Sequence, residues 1–203
     1  MSVLINASTS TGLVQSADTS GEIELQSNGT TALKVNTNEG IQILNCLGVG
    51  NATPSTSGAG ITFPATQSAS TDANTLDDYE EGTWTVTALG QTSAGTTTYN
   101  GRVGNYTKIG NIVTANGFLN PTSMTGTGNL IISLPFTANN SYNGMGAVAT
   151  YNLDWPQAGS LVFWAVAGQA YGRIHVSADN VTDAIVQTEN ANWEATFTVT
   201  YQV

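Results

Sequence analysis

Trp193-Glu194-Ala195-Thr196-Phe197-Thr198-Val199-Thr200-Tyr201-Gln202-Val203 decides the fold class. Trp193, Ala195, Phe197, Val199, Tyr201 and Val203 fall on one side of an extended chain; Glu194, Thr196, Thr198, Thr200 and Gln202 fall on the other. Side chains alternate across a strand with period two, so this stretch reads as a strand with one face on a core and one towards water. Moving outward, no apolar stripe at i, i+3, i+4 is sustained anywhere, and β-branched and turn residues dominate. Leu161-Val162-Phe163-Trp164-Ala165-Val166-Ala167 is apolar without alternation. A run of this kind predicts a strand covered on both faces, with a sister chain as one candidate cover. Asn100-Gly101, Asn116-Gly117 and Asn143-Gly144 are hairpin signals. The expectation is an all-β chain whose residues 76–203 form a β-sandwich, jelly-roll-like head.

The first part of the chain is built differently. Gly21-Glu22-Ile23-Glu24-Leu25-Gln26, Thr31-Ala32-Leu33-Lys34-Val35 and Ile41-Gln42-Ile43-Leu44 are short strands separated by the turns Ser27-Asn28-Gly29 and Asn36-Thr37-Asn38-Glu39-Gly40. Their apolar residues are too few to bury a core in one copy. Three copies around an axis would cover each apolar face with its neighbours, so residues 1–46 are read as an N-terminal docking segment and trimeric β stem. Residues 47–75, rich in Gly, Ser and Thr with Pro54 and Pro64, are read as a connector.

Composition removes several functions. Charged residues are 9% of the 203, against roughly 25% in ordinary soluble proteins. Four Lys and Arg stand against 14 Asp and Glu, for a net charge of −10. Phosphate recognition needs clustered cations, and Lys34, Arg102, Lys108 and Arg173 are scattered, which argues against nucleic acid and anionic membranes. No stretch approaches the ~20 apolar residues of a membrane span, and the single Cys46 cannot form an intrachain disulfide. The N-terminus shows no secretory pattern. A Thr-, Asn- and Gly-rich β chain without export signal or disulfides fits a particle protein, assembled in a reducing cytosol and exposed after lysis.

One motif is more specific. Asn74-Thr75-Leu76-Asp77-Asp78-Tyr79-Glu80-Glu81-Gly82-Thr83-Trp84 resembles a segment recurring in tail fibre and tail spike proteins of marine and other tailed bacteriophages. Gly104-Asn105-Tyr106-Thr107-Lys108-Ile109-Gly110-Asn111-Ile112-Val113 resembles the strand pair that follows it there, and Leu134-Pro135-Phe136 a later Leu-Pro-Phe. The resemblance implies a homotrimeric, host-facing component of the virion, made in the host cytoplasm. Its implied partners are sister chains, other virion proteins through the N-terminal segment, and host surface polysaccharide. The short stem fits a short spike or a fibre tip, and a decoration or adaptor protein on capsid or tail is the alternative.

Chemistry is sparse. Asp77, Asp78, Glu80 and Glu81 could attract Ca²⁺ but lack the spacing of a calcium loop; the plainer reading is a turn whose carboxylates accept backbone N–H groups while leading Tyr79 and Trp84 into the core. Asp154, Asp179, Asp183, Glu189 and Glu194 could supply a glycosidase pair, as any acidic chain could. His175 is the only histidine; it reads as a surface residue, with neither a Gly-x-Ser-x-Gly elbow nor a ligand set for zinc. No cofactor and no enzymatic activity are expected. Aromatic rings suit the C–H faces of sugars. Trp155, beside Asp154 and Pro156 in a loop, and Tyr142, approaching Asn143-Gly144, are the candidate glycan contacts.

Overall fold

The computed structural model describes residues 22–35, 37, 40–66, 70–72, 74–179, 184–189 and 192–203. The expected docking segment before residue 22 lies outside the described residues. The described residues are all-β, 55% strand and without helices, and the chain divides into two compact units, Met1–Thr66 and Gln67–Val203.

In the N-terminal unit, β1 (Ile23–Ser27), β2 (Thr30–Val35) and β3 (Ile41–Ile43) form an antiparallel sheet in chain order. Asn28 and Gly29 both have positive φ, the requirement of a two-residue type I′ turn. The register makes the sheet two-sided. Ile23, Val35 and Ile41 align across the strands, as do Leu25, Leu33 and Ile43. The opposite side carries Glu24, Lys34 and Gln42, with the Lys34 ammonium 2.6 Å from Glu22. The apolar side is bare: Ile41 is 70% exposed, Ile23 55% and Leu25 52%. Farther along, β4 (Cys46–Gly48) and β5 (Gly60–Thr62) pair in parallel inside the stretch expected to be a plain connector.

The second unit is one ten-stranded antiparallel sheet curled into a sandwich-like head. Its strands are β6 (Glu80–Trp84), β7 (Ala88–Gly90), β8 (Thr97–Ile109), β9 (Ile112–Met124), β10 (Leu130–Ser133), β11 (Gly144–Tyr151), β12 (Ser160–Ala165), β13 (Tyr171–Ser177), β14 (Ala184–Ile185) and β15 (Glu194–Gln202). The spatial order is β6-β8-β9-β15-β11-β12-β13-β10-β7, with β14 on β13. The strand latest in sequence, β15, therefore sits in the middle, between β9 and β11. The two ends of the order, β6 and β7, are consecutive in the chain. Residues 80–90 pair first with β8 and then, after a corner at 85–87, with β10. Ser133 fixes that corner three ways: its N–H donates to the Thr87 carbonyl, its hydroxyl accepts the Thr87 N–H at 2.9 Å, and its carbonyl accepts Trp84 Nε1–H at 3.3 Å. Across the curl, Thr97 donates to the Ala88 carbonyl and the Tyr99 hydroxyl accepts the Ala88 N–H, both at 2.7 Å.

The alternation expected for the last strand holds: Trp193, Ala195, Phe197, Val199 and Tyr201 are buried, joined by Val113, Leu119, Leu130, Ile132, Phe163 and Ile174. Rings in this core lie on glycines. Trp84 covers Gly104, Tyr106 covers Gly82, Phe197 covers Gly117 and Phe163 covers Gly172, so that a Cβ at any of these glycines would overlap the ring. Phe163 and Phe197 stack in parallel at 4.1 Å. This explains a miss. Asn100-Gly101 and Asn116-Gly117 are not hairpin turns but lie inside β8 and β9. Gly101 follows an irregularity in the β8–β9 register, and Gly117 is the space beneath Phe197. The β8–β9 turn is instead Gly110-Asn111, with Gly110 at φ 56°. Within Leu161–Ala167, Phe163 and Ala165 face the core, whereas Val162 and Trp164 lie half-buried on the outer side.

Candidate functional site

The motif pieces carrying the resemblance meet in space. Trp84 packs 6.5 Å from Tyr106, and Tyr106 packs edge-on to Phe136 at 4.9 Å. The Phe136 backbone brackets the Tyr201 hydroxyl, donating to it at 3.3 Å and accepting from it at 3.2 Å. These segments build the brace that closes the curled sheet. Their acids are engaged as well: Asp77 accepts the Ser70 N–H, Glu80 accepts the Tyr106 hydroxyl, and Glu81 accepts the Tyr79 hydroxyl. Trp84 does pack on the core, but Tyr79 stays 39% exposed beside Glu81. The bond to Glu80, with partial burial, pushes Tyr106 up to about 12, and burial pushes Tyr201 up to about 12. Among the described residues no group of three or more acids, histidines or cysteines is placed to hold a metal ion.

The candidate contacts fall at opposite ends of β11. Tyr142 precedes it, 55% exposed, its hydroxyl bonded to Gln202. Asp154 and Trp155 follow it, with Trp155 43% exposed and its indole N–H 3.3 Å from Thr150 Oγ1. The eight residues of β11 span roughly 26 Å, so Tyr142 and Trp155 do not form one site. The Asp154 N–H donates to Glu189 at 2.6 Å. Burial pushes the Glu189 carboxyl above its usual range, and the nearby Asp154 charge adds to the shift.

Sequence reasoning missed Tyr151, which is 66% exposed at the end of β11. It pairs with Glu194, whose carboxylate accepts the Asn120 amide at 2.6 Å. Alternation along Gly144–Tyr151 could have put Tyr151 on the outer face, had that strand been drawn. At this end of β11, Tyr151 stands on the outer face with Glu194 and Asn120, whereas Trp155 bonds Thr150, whose side chain alternates to the other face. His175 requires correction. It points to the outer side of β13 as expected, yet it is only 7% exposed, because the Trp164 ring stacks over it at 3.9 Å. Asp183, one of the weighed carboxylates, lies outside the described residues.

The outer face continues inward from this end as cross-strand rows. Val103, Phe118, Thr196 and Ala149 form one row; Asn105, Asn116, Thr198 and Ala147 form the next; Thr107, Thr114, Thr200 and Met145 a third. A shallow groove of about 460 Å³ runs over the first two rows. The four cations are elsewhere: Lys34 is paired in the N-terminal unit, Arg102 lies 4.3 Å over the Tyr99 ring, Arg173 lies near Tyr171, and Lys108 is buried. No helix among the described residues is long and apolar enough to cross a membrane. Comparison with protein-family models, with curated proteins and with solved structures found no match in any of the three.

Proposed function

We propose that the chain is a bacteriophage virion protein, a homotrimeric tail fibre or spike subunit whose head binds host surface glycan without catalysis. The observation that carries this reading is the N-terminal sheet, whose Ile23, Leu25, Ile41 and Ile43 stand in solvent in a single chain. Three short strands with a wet apolar side are marginal in water, and sister copies about an axis would cover that side. The likeness of Asn74–Trp84 to phage fibre proteins supplies the particle. Tyr151 and Trp155 supply the glycan reading: their exposed rings suit sugar C–H faces, with Glu194 and Asn120 beside Tyr151 and Asp154 next to Trp155 in the chain for hydroxyl groups. Three heads per fibre turn weak contacts into avidity.

A second reading is a decoration or adaptor protein on the capsid or tail. It draws on the same bare sheet side, which another virion protein could cover. Sedimentation to obtain the solution mass, followed by co-pelleting with host cells before and after removal of surface polysaccharide, separates the two. A trimer whose saturable binding is lost with the polysaccharide, and weakened by Trp155→Ala, is the expected result. A trimer indifferent to cells would favour the structural role, and a monomer would end the stem argument.

A further inference from the structure

We infer that the outer face of β8, β9, β15 and β11 is where heads of the same chain meet. The inference rests on the homo-oligomer reading and adds the surface that reading lacks. The three rows through Val103, Asn105 and Thr107 hold Val, Phe, Met, Ala, Thr and Asn, and no ionisable group. Glu81 and Glu194 border the rows without entering them. In a chain of net charge −10, most surface pairings between copies set like charges against each other. A neutral face escapes that repulsion whichever surface of a sister chain it meets.

Exposure points the same way. Val103 is 54% exposed and Met145 60%, while Ile109 and Ile112 form a further apolar pair across the β8–β9 turn at 45% and 38%. An antiparallel sheet with a purely solvated outer side carries polar residues there, whereas this one mixes threonines with bare apolar side chains. Ala147 and Ala149 keep the β11 side low, and the groove beside them leaves room for side chains of a facing copy. Four strands at ~4.8 Å spacing, over rows about 20 Å long, give a plan area of roughly 400 Å² before side-chain relief is counted. The face alone therefore supplies about half of the roughly 800 Å² per partner of a standard interface.

Thiol accessibility tests the inference on the full-length protein. In a Cys46→Ser background, Thr198→Cys and Ala147→Cys place single thiols on the face, and Ala94→Cys places one in the exposed β7–β8 loop. Alkylation at 198 and 147 should be slower than at 94 by on the order of tenfold or more, as expected for closed sites. In addition, Thr198→Glu should weaken association of the heads. An oligomer in which 198 and 147 react as fast as 94 overturns the inference and leaves the homotrimer reading intact. A monomer with all three sites equally reactive overturns both. Protection at 198 in a monomer also overturns the inference, since the cover would then come from the same chain.

Discussion

The N-terminal sheet and the head follow the same alternating pattern and reach opposite outcomes. β1–β3 place Ile23, Val35 and Ile41 on one side as cleanly as β15 places Ala195, Phe197 and Val199. In the head those residues are sealed; in the N-terminal sheet Ile23 and Ile41 are wet and Val35 is only half-buried. Alternation specifies a face, and only enough strands to curl, or a partner, turn a face into a core. Ten strands curl until the sheet meets itself, whereas three cannot. The difference also shows in the glycines: Gly104, Gly117 and Gly172 of the head interior are roofed by rings, whereas Gly29 meets nothing within 4 Å.

The largest effect should come from removing a ring. Phe197→Ala takes away the stack on Phe163 and the roof over Gly117, and should cost the head about 3–5 kcal/mol in urea unfolding. Gly104→Ala is the reverse change: the added methyl meets the Trp84 ring, a strain of about 1–3 kcal/mol. Its partial relief by Trp84→Leu in a double mutant would show that the ring, and not the backbone, is responsible.

Tyr106 and Tyr201 make a pH prediction. Each is raised from 10.0 to about 12 in the folded head, so their contribution is complete below pH 10 and lost as pH rises towards 12. The urea midpoint should fall over that window, and Tyr201→Phe should reduce the fall. An unchanged slope in Tyr201→Phe would remove that tyrosine from the account. The smallest effect on head stability belongs to Ile41→Asp. Its side chain lies on the bare face of the other unit, so the head's unfolding midpoint should stay put while the solution mass drops towards a monomer. If the mass stays that of the oligomer, the N-terminal sheet is not what holds the copies together.

How far the sequence could be read follows from which contacts are local. The strands around Asn28-Gly29 were legible because turn and alternation lie side by side in the chain, and the strand from Glu194 to Gln202 because its pattern is long. Asn116-Gly117 misled because its glycine answers to Phe197, a residue 80 positions away that no local window contains. The curl was hidden for the same reason, since Ser133 joins a corner at Thr87. At the candidate site, Trp155 stood out beside proline and aspartate, whereas Tyr151 was lost at the end of a strand of small residues. His175 was assigned its side correctly; its cover, Trp164, comes from the neighbouring strand.

The central place of β15 has a consequence for synthesis. Until residues 194–202 have been made, β9 and β11 have no common neighbour, and the growing chain holds two half-sheets with open edges instead of a nearly finished head. Unpaired edges of that kind invite association with other chains. Translation that stops short of β15 would therefore yield a sticky, protease-sensitive product, so that the head reaches its native state only in chains that carry this strand.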